Sequence, residues 1–218
     1  YEFRKWQKKP EIVFHNLLKD PLTSKNTIFL DLSTASHLSA KFQFMSVDEQ
    51  QNFLDLLLNS KKVQIALGKY SETRSIYSAE QFCHDSIEGN ENRTIHLGID
   101  IFTNEGTTIY APFDGIVHLL NDNQGHLDYG PTVILEHQPS DGPLFYTLYG
   151  HLGESCLKNL NIGQLVKGGM PLAEIGNSKE NGGWIPHLHF QIILDLFDSK
   201  GNFPGVALPS QQNVWESI

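Results

Sequence analysis

The pattern of hydrophobic and polar positions changes near residue 90 of the chain. From about residue 94 onward, short apolar runs alternate with polar positions and are separated by turns rich in Gly, Asn and Asp. This pattern is typical of many short strands in an antiparallel sheet, sandwich or barrel. The predicted strands cover residues 96–102, 107–110, 115–120, 131–137, 144–150, 165–167, 171–175 and 187–195.

The first ninety residues predict a mixed α+β extension rather than more of the same sheet. Pro10 predicts the start of a short helix that ends before Pro21. The capping-box pair Ser46 and Glu49 predicts a second helix. Strands are predicted at residues 27–32 and 63–67, and a linker or loop at residues 85–93. We therefore expect an N-terminal α+β extension over 1–90 and a mainly β domain over 91–218.

Two strings in the β-rich part alternate possible metal ligands with core residues: His96-Leu-Gly-Ile-Asp100 and His187-Leu-His189. Successive side chains of a strand face opposite sides, so each strand has one apolar face and one face that carries imidazoles. Two histidines and a carboxylate are a common ligand set for a catalytic zinc, which keeps a fourth position for water. If the two strands are neighbours, the strings predict a metal site. A further histidine, His151, follows a glycine at the end of an apolar run, where a strand end would face a groove.

Composition narrows the range of partners. The 218 residues carry a net charge of −9, from 16 basic and 25 acidic side chains. An acidic protein binds nucleic acid and anionic membrane surfaces poorly, so neither is expected as a partner. No apolar run approaches the length of a membrane span, and no signal-like segment opens the chain, whose first residue is Tyr1. Cys83 and Cys156 belong to no Cys-x-x-Cys pair, and we expect two reduced thiols. The composition leaves the oligomeric state open.

Taken together, the strings resemble the LytM/lysostaphin-type zinc metalloendopeptidases, which cut peptide crosslinks of bacterial cell walls. The resemblance covers roughly residues 94–194, with matching order and spacing. It includes His96-Leu-Gly-Ile-Asp100, Gly106-Thr-Thr-Ile-Tyr-Ala-Pro-Phe-Asp-Gly115, Tyr129-Gly130, Val133-Ile-Leu-Glu-His137, Tyr149-Gly-His151-Leu, Ile162-Gly-Gln-Leu-Val-Lys-Gly168, Ile175-Gly176 and Pro186-His187-Leu-His189-Phe. The fold that the resemblance implies is a mainly β, LytM-type catalytic domain.

The resemblance also implies a division of roles. His96, Asp100 and His189 would bind one Zn²⁺, whereas His151 and His187 would serve catalysis. Zinc would lower the pKa of its bound water and polarise the scissile carbonyl, and the two uncoordinated imidazoles would handle protons. The implied substrate is a peptide, in particular a peptidoglycan-derived one.

The chain departs from the family pattern in two places. Relatives often stabilise the transition state with a tyrosine that lies shortly before the first zinc histidine. Here the nearest upstream tyrosines are Tyr77 and Tyr70, and we expect Tyr77 in that role. Many relatives carry a Ser/Thr-Gly turn that leads into a Gly-Pro-His string, whereas this chain has Glu180-Asn-Gly-Gly-Trp184-Ile-Pro186-His187. Trp184 would either narrow the groove or pack under its loop. Tyr77, Tyr149 and Trp184 are the expected groove residues.

Other readings of the same residues stay open. Some segments are similar in sequence to LytM-like modules that are fused to phosphotransferase and class III aminotransferase modules. These segments are residues 147–152 and 181–191, and upstream residues 68–77. Such modules are cytoplasmic, whereas a wall enzyme acts in the periplasm or at the cell surface. The alternatives are therefore a zinc amide hydrolase with an intracellular substrate, and a non-catalytic regulator of wall hydrolases. An N-terminal segment can also cover the metal in some relatives, and the side chains near enough in sequence are Cys83, His84, Asn90 and Asn92.

Overall fold

The protein is described here from a computed structural model that covers residues 2–78, 82–86, 89–197, 199 and 202–217. The strands are β1 Thr27–Phe29, β2 Ile65–Gly68, β3 Glu72–Thr73, β4 Cys83–Ser86, β5 Gly89–Asn92, β6 Ile95–His96, β7 Ile99–Phe102, β8 Thr108–Tyr110, β9 Gly115–Asn123, β10 Gly130–His137, β11 Phe145–Gly150, β12 Leu165–Val166, β13 Pro171–Glu174, β14 His187–Ile193 and β15 Val206–Ala207. The helices are α1 Glu2–Trp6, α2 His37–Phe42, α3 Val47–Lys61, α4 Ser155–Asn159 and α5 Gln212–Trp215, with 3₁₀ turns at Ser75–Ser78 and Pro209–Gln211.

One eight-stranded sheet organises the molecule, in the order β1-β2-β7-β14-β11-β10-β9-β12. Only β1 and β2 pair in parallel, and every other pairing in this sheet is antiparallel. Smaller sheets are formed by β13-β8, by β15-β6-β3 and by β4-β5. The prediction of a mainly β, antiparallel fold with an α+β N-terminal extension is therefore confirmed. The extension contributes β1 and β2 to one edge of the same sheet.

Within the N-terminal extension, one predicted helix is confirmed and the other is wrong. Helix α3 begins after Ser46, whose side chain and that of Glu49 form the predicted capping box. The segment after Pro10 is not helical in the structure. Its backbone instead forms hydrogen bonds to the chain just after β8, where His15 N–H donates to the Pro112 carbonyl at 2.8 Å. Tertiary hydrogen bonding therefore replaces the local helix that the sequence pattern favours.

Two predicted boundaries in the β-rich part also change. The predicted strand 96–102 is divided into β6 and β7, which belong to different sheets and are separated by Leu97 and Gly98. The segment predicted as a loop at 85–93 instead contributes to the β4-β5 pair. The remaining strands predicted from residue 107 onward are found within a few residues of the predicted bounds.

The two faces of the central sheet have different surroundings. Ile101, Leu188 and Phe190 point into the largest hydrophobic cluster, which helix α4 and the β8-β13 pair also line. The opposite face carries Asp100 and His189, which lie between two smaller hydrophobic clusters. Helices α2 and α3 contribute to one of these clusters, and the C-terminal segment contributes to the other. The alternation predicted from the sequence therefore sorts core residues from polar ones on both β7 and β14. Among the residues described, no helix combines the length and the apolar character that crossing a membrane requires.

A buried histidine in the core makes the fold sensitive to pH. His137 Nδ1–H donates to the Asp114 carbonyl at 2.9 Å, and its Nε2 lies 2.7 Å from Thr147 Oγ1. Burial lowers the pKa of His137 below its ordinary value. The native protein therefore holds this imidazole neutral at a pH at which the unfolded chain already binds a proton.

We expect acidification to destabilise the fold for this reason. A group with a lowered native pKa contributes stability above its unfolded pKa of about 6.5, and that contribution is lost as the pH falls below it. Thermal unfolding at pH 7 and pH 5 measures the effect. His137→Asn, which does not titrate, should be less stable than the wild type at pH 7 but should lose less stability on acidification. Equal losses in the two proteins would show that His137 does not contribute.

Candidate metal centre

Three side chains converge on the polar face of the sheet, where β14 lies beside β7. His189 pairs directly with Asp100 across the two strands, and His96 enters from β6. His96 Nε2 lies 3.0 Å from His189 Nδ1, and Asp100 Oδ1 lies 3.1 Å from the former and 3.2 Å from the latter. All three residues are buried. They are the one group of three His, Cys, Asp or Glu side chains, within the described part of the chain, that could hold a metal ion.

The contacts of the outer nitrogens of the two imidazoles turn the inner nitrogens toward the same point. A carbonyl oxygen only accepts, so His96 Nδ1 carries the proton that it shares with the Lys69 carbonyl at 2.9 Å. His189 Nε2 lies 3.3 Å from Gln191 Oε1. The inner nitrogens, His96 Nε2 and His189 Nδ1, then face each other at 3.0 Å with Asp100 Oδ1 beside both, as the ligand atoms of one cation would.

The spacing of the three donor atoms fits a small tetrahedral ion. Adjacent ligands of a tetrahedral zinc lie roughly 3.3 Å apart, because zinc–nitrogen and zinc–oxygen distances are about 2.0–2.2 Å. The three separations of 3.0–3.2 Å come close to this value. The residues present therefore fit a metal that takes nitrogen and oxygen ligands and keeps a fourth position open.

The environment keeps the donors in the protonation states that a metal requires. Burial lowers the pKa of His96 to about 4, and Arg74 adds to this effect. Burial alone would raise the pKa of Asp100, but His96 and Arg74 outweigh it and hold that pKa well below its ordinary value. The site thus presents His96 as a neutral imidazole and Asp100 as a carboxylate at neutral pH.

Gly98 allows His189 to occupy its place. A Cβ atom at this position would lie 2.5 Å from His189 Nε2 and 2.8 Å from the Phe190 carbonyl oxygen. The break between β6 and β7 therefore occurs where the chain passes under the imidazole. Any side chain at residue 98 would displace a donor.

Two further histidines stand beside the donors without joining them. His151 Nδ1–H donates to the Asn181 carbonyl at 2.9 Å, and His187 Nδ1–H donates to the Ile185 carbonyl at 2.8 Å. Each Nε2 is thereby left as a proton acceptor. The two rings lie 4.2 Å apart between centroids, and burial lowers both pKa values below the ordinary range. They are therefore available as neutral bases next to the donor set.

His151 is held in an unusual backbone conformation. Its φ is +62°, in the left-handed region that residues other than glycine seldom adopt. The backbone N–H of His151 bonds to the Tyr129 carbonyl and its carbonyl accepts from the Gly176 N–H. This strained turn at the end of β11 directs the imidazole toward the site.

The predicted groove residues are only partly brought together. A groove of about 530 Å³ beside the donors is lined by Tyr77, His151, Trp184 and His189, among others. Trp184 Nε1–H donates to the Asp128 carbonyl at 3.2 Å, and its ring lies 5.9 Å from that of His151. Tyr77 and Trp184 therefore line a groove beside the donors, and their contact with a substrate stays a prediction.

Tyr149 does not line this groove, and its place among the expected groove residues is corrected. Its side chain is fully buried in the main hydrophobic cluster, and its hydroxyl bonds to Thr147 Oγ1 at 2.9 Å. The reason is the alternation of strand β11, which turns residue 149 toward the core, whereas residue 151 follows the strand end and faces the site. Proximity in sequence to His151 gave no reliable guide to the direction of this ring.

Tyr129 also lines the groove, although the sequence predicted no role for it. Its ring lies 5.2 Å from that of His189 and 5.7 Å from that of His151. Its hydroxyl is buried against Gly205 and has no hydrogen-bond partner among the described residues. The string Tyr129-Gly130 was part of the family resemblance, but nothing local indicated that this ring would lie beside His151 and His189.

The linker residues expected near the metal are not among the described residues that line this groove. From that part of the chain the lining includes Phe82 and Arg93, but not Cys83, Asn90 or Asn92. The side chain of His84 lies outside the described part of the structure. Coverage of the metal by His84 therefore stays a prediction.

Comparisons with known proteins agree with the geometry. Residues 94–200 match the sequence profile of Peptidase family M23. An uncharacterized metalloprotease from Haemophilus influenzae is 36% identical over 100 residues, which are 46% of this chain and 19% of that protein. The DD-carboxypeptidase/endopeptidase Mpg of Neisseria meningitidis is 30% identical over 118 residues, 54% of this chain and 24% of that protein. The matched part thus spans a quarter or less of these relatives.

Solved structures show partial likeness. A zinc-containing peptidase from Vibrio cholerae is 27% identical, with 51% of this chain and 32% of that one covered and a TM-score of 0.38. The catalytic domain of lysostaphin from Staphylococcus simulans is 23% identical, with 56% and 80% covered and a TM-score of 0.38. The assignment rests on the sequence matches, which confirm the predicted family for the matched segment. Residues 94–200, nearly half of the chain, belong to Peptidase family M23, the LytM-type peptidases.

Proposed function

We propose that this chain is a zinc-dependent metallopeptidase that hydrolyses peptide bonds of peptidoglycan-type peptides. The observation that carries the proposal is the convergence of His96 Nε2, His189 Nδ1 and Asp100 Oδ1, which lie 3.0–3.2 Å from one another in a buried pocket. These three atoms would hold one zinc ion. When bound, zinc would supply Lewis-acid polarisation of the scissile carbonyl and activation of a water molecule.

The remaining roles in the proposal belong to the chain's own side chains. His151 Nε2 and His187 Nε2 take up and return protons, because their Nδ1–H groups are bound to backbone carbonyls. Tyr77 stands at the groove as a neutral phenol, since burial raises its pKa to about 12, and its hydroxyl can donate to an oxyanion. Trp184 would pack against the substrate.

The domain organisation is part of the same proposal. Residues 91–218 would form the catalytic domain, and residues 1–90 an extension whose strands β1 and β2 continue the central sheet. The names of the Neisseria relatives, which include carboxypeptidase and endopeptidase, support a peptide of the bacterial wall as substrate. A non-wall amide substrate is the alternative within the same chemistry.

Zinc-dependent hydrolysis tests the proposal. The purified chain is stripped with a chelator, loaded with one equivalent of zinc, and incubated with sacculi and with short peptides that contain glycine or D-alanine. We expect cleavage by the zinc-loaded protein, none by the stripped protein, and recovery when zinc is returned. Product masses identify the bond that is cut.

The other outcomes distinguish the alternatives. Zinc binding with cleavage of small amides but not of wall peptides would replace the wall substrate with a different one. A chain that binds no zinc and cleaves nothing would contradict the enzyme assignment and favour a regulator of wall hydrolases.

A further inference from the structure

The segment Gly68–Tyr77 contacts the donor set, although it lies outside residues 94–200 that match the family. It is placed by two short pairings: Gly68 lies opposite Asp100 where β2 meets β7, and Glu72 lies opposite His96 where β3 meets β6. The Lys69 carbonyl, from the turn between these strands, accepts the Nδ1–H of His96. The N-terminal extension therefore supplies one of the contacts that orient the ligands.

Arg74 is the most connected side chain of this segment. Only 3% of it is exposed. Its Nη1 donates to Asp100 Oδ2 at 2.5 Å and lies 3.5 Å from the Tyr77 hydroxyl. Its Nε donates to Glu72 Oε2 at 2.9 Å. One guanidinium thus links a metal ligand to the tyrosine that stands at the groove.

Glu72 holds the guanidinium in this orientation. Its second oxygen, Oε1, accepts the backbone N–H of Leu32 at 3.1 Å, so the carboxylate is attached at both ends. Glu72 is itself buried, and its negative charge balances that of Arg74. Asp100 therefore keeps its own charge for a cation. A Cβ atom at Gly68 would lie 2.6 Å from Arg74 Nη2, so this glycine leaves the space that the guanidinium fills.

The consequence concerns which oxygen of Asp100 faces the metal. Oδ2 is engaged by Arg74, whereas Oδ1 lies 3.1–3.2 Å from His96 Nε2 and His189 Nδ1. A carboxylate with one oxygen so held cannot rotate to present the other or to bind through both. Partners of this kind orient metal ligands, and losing them typically weakens metal binding about 10–100-fold.

We propose that Arg74, braced by Glu72, is a positioning residue that presents Asp100 Oδ1 to the metal and holds the Tyr77 hydroxyl beside it. This inference rests on the proposed function, because it concerns the same site. It assigns to the N-terminal extension a direct part in building the catalytic centre.

Zinc affinity, measured by competition with a chromophoric chelator, tests the inference without depending on hydrolysis. We expect Arg74→Met to weaken zinc binding by about 10–100-fold. Arg74→Lys should recover part of the loss, because an ammonium can reach one partner but cannot fork between Asp100 and Glu72. In the cobalt-substituted protein, the visible ligand-field bands should shift for Arg74→Met. Arg93→Met, which removes a half-buried arginine that contacts none of the donors, should bind zinc as the wild type does.

A second variant guards against a simple loss of folding. Glu72→Gln combined with Arg74→Met removes both buried charges, and it should fold yet still bind zinc about 10–100-fold more weakly. Wild-type zinc affinity and cobalt spectrum in either folded variant would overturn the inference. Failure of the zinc-loaded wild type to cleave any peptide would instead contradict the proposed function, and the affinity comparison would still decide the role of Arg74.

Discussion

Replacing His189 with alanine should remove zinc and abolish hydrolysis. The change takes away one of three donors and leaves only His96 Nε2 and Asp100 Oδ1, 3.1 Å apart, of the one three-ligand group found among the described residues. We expect the zinc content to fall from one ion per chain to near zero. Because bound metal supplies several kcal/mol of transition-state stabilisation, kcat/KM should fall by at least about a thousandfold. Metal analysis after gel filtration, together with peptide cleavage, measures both.

His118→Ala is the matched control for this experiment. His118 is also a strand histidine, but it lies on β9 and pairs with Glu136 at 3.1 Å, away from the donors. This variant should keep both zinc and activity. A His189→Ala protein that retains one tightly bound zinc would show that this imidazole is not a ligand.

Replacing His151 should separate catalysis from metal binding. The imidazole is not one of the three donors, and its Nδ1–H bond to the Asn181 carbonyl leaves Nε2 free to accept a proton. We expect His151→Ala to retain zinc while kcat falls by about 10²–10⁴, the usual contribution of a general base or acid. Metal content and kcat, measured on the same preparation, test this.

The backbone at His151 calls for a second variant. Because φ is +62° at this position, alanine adds conformational strain of its own, whereas asparagine tolerates left-handed backbone better. His151→Asn should therefore melt closer to the wild type and show the same loss of kcat. Normal turnover in a zinc-loaded His151→Asn protein would remove this residue from the mechanism.

The three candidate metal ligands could be predicted from the sequence, whereas the residues that position them could not. The alternation of His187, Leu188 and His189 could be seen locally, and the structure places these side chains on opposite faces of β14 as expected. That His96 and Asp100 approach His189 depends on the pairing of β7 with β14. Strands about ninety residues apart in sequence leave no local sign of that pairing, and only the family resemblance indicated it.

The contacts of Arg74 and the direction of Tyr149 could not be predicted for the same reason. Arg74 reaches Asp100 because a two-residue strand, Glu72–Thr73, pairs with β6, and so short a pairing has no hydrophobic period of its own. Tyr149 points into the core because of its register on β11, which a shift of one residue would reverse. Local patterns thus indicated the candidate ligands, while long-range strand pairing determined how they meet.

A crystal structure of the zinc-loaded protein, with anomalous data at the zinc edge, tests the central claim most directly. We expect one anomalous peak, about 2.0–2.2 Å from His96 Nε2, Asp100 Oδ1 and His189 Nδ1, with His151 and His187 uncoordinated. A protein that crystallises from zinc with no peak at this point, or with the ion held by other side chains, would contradict the assignment.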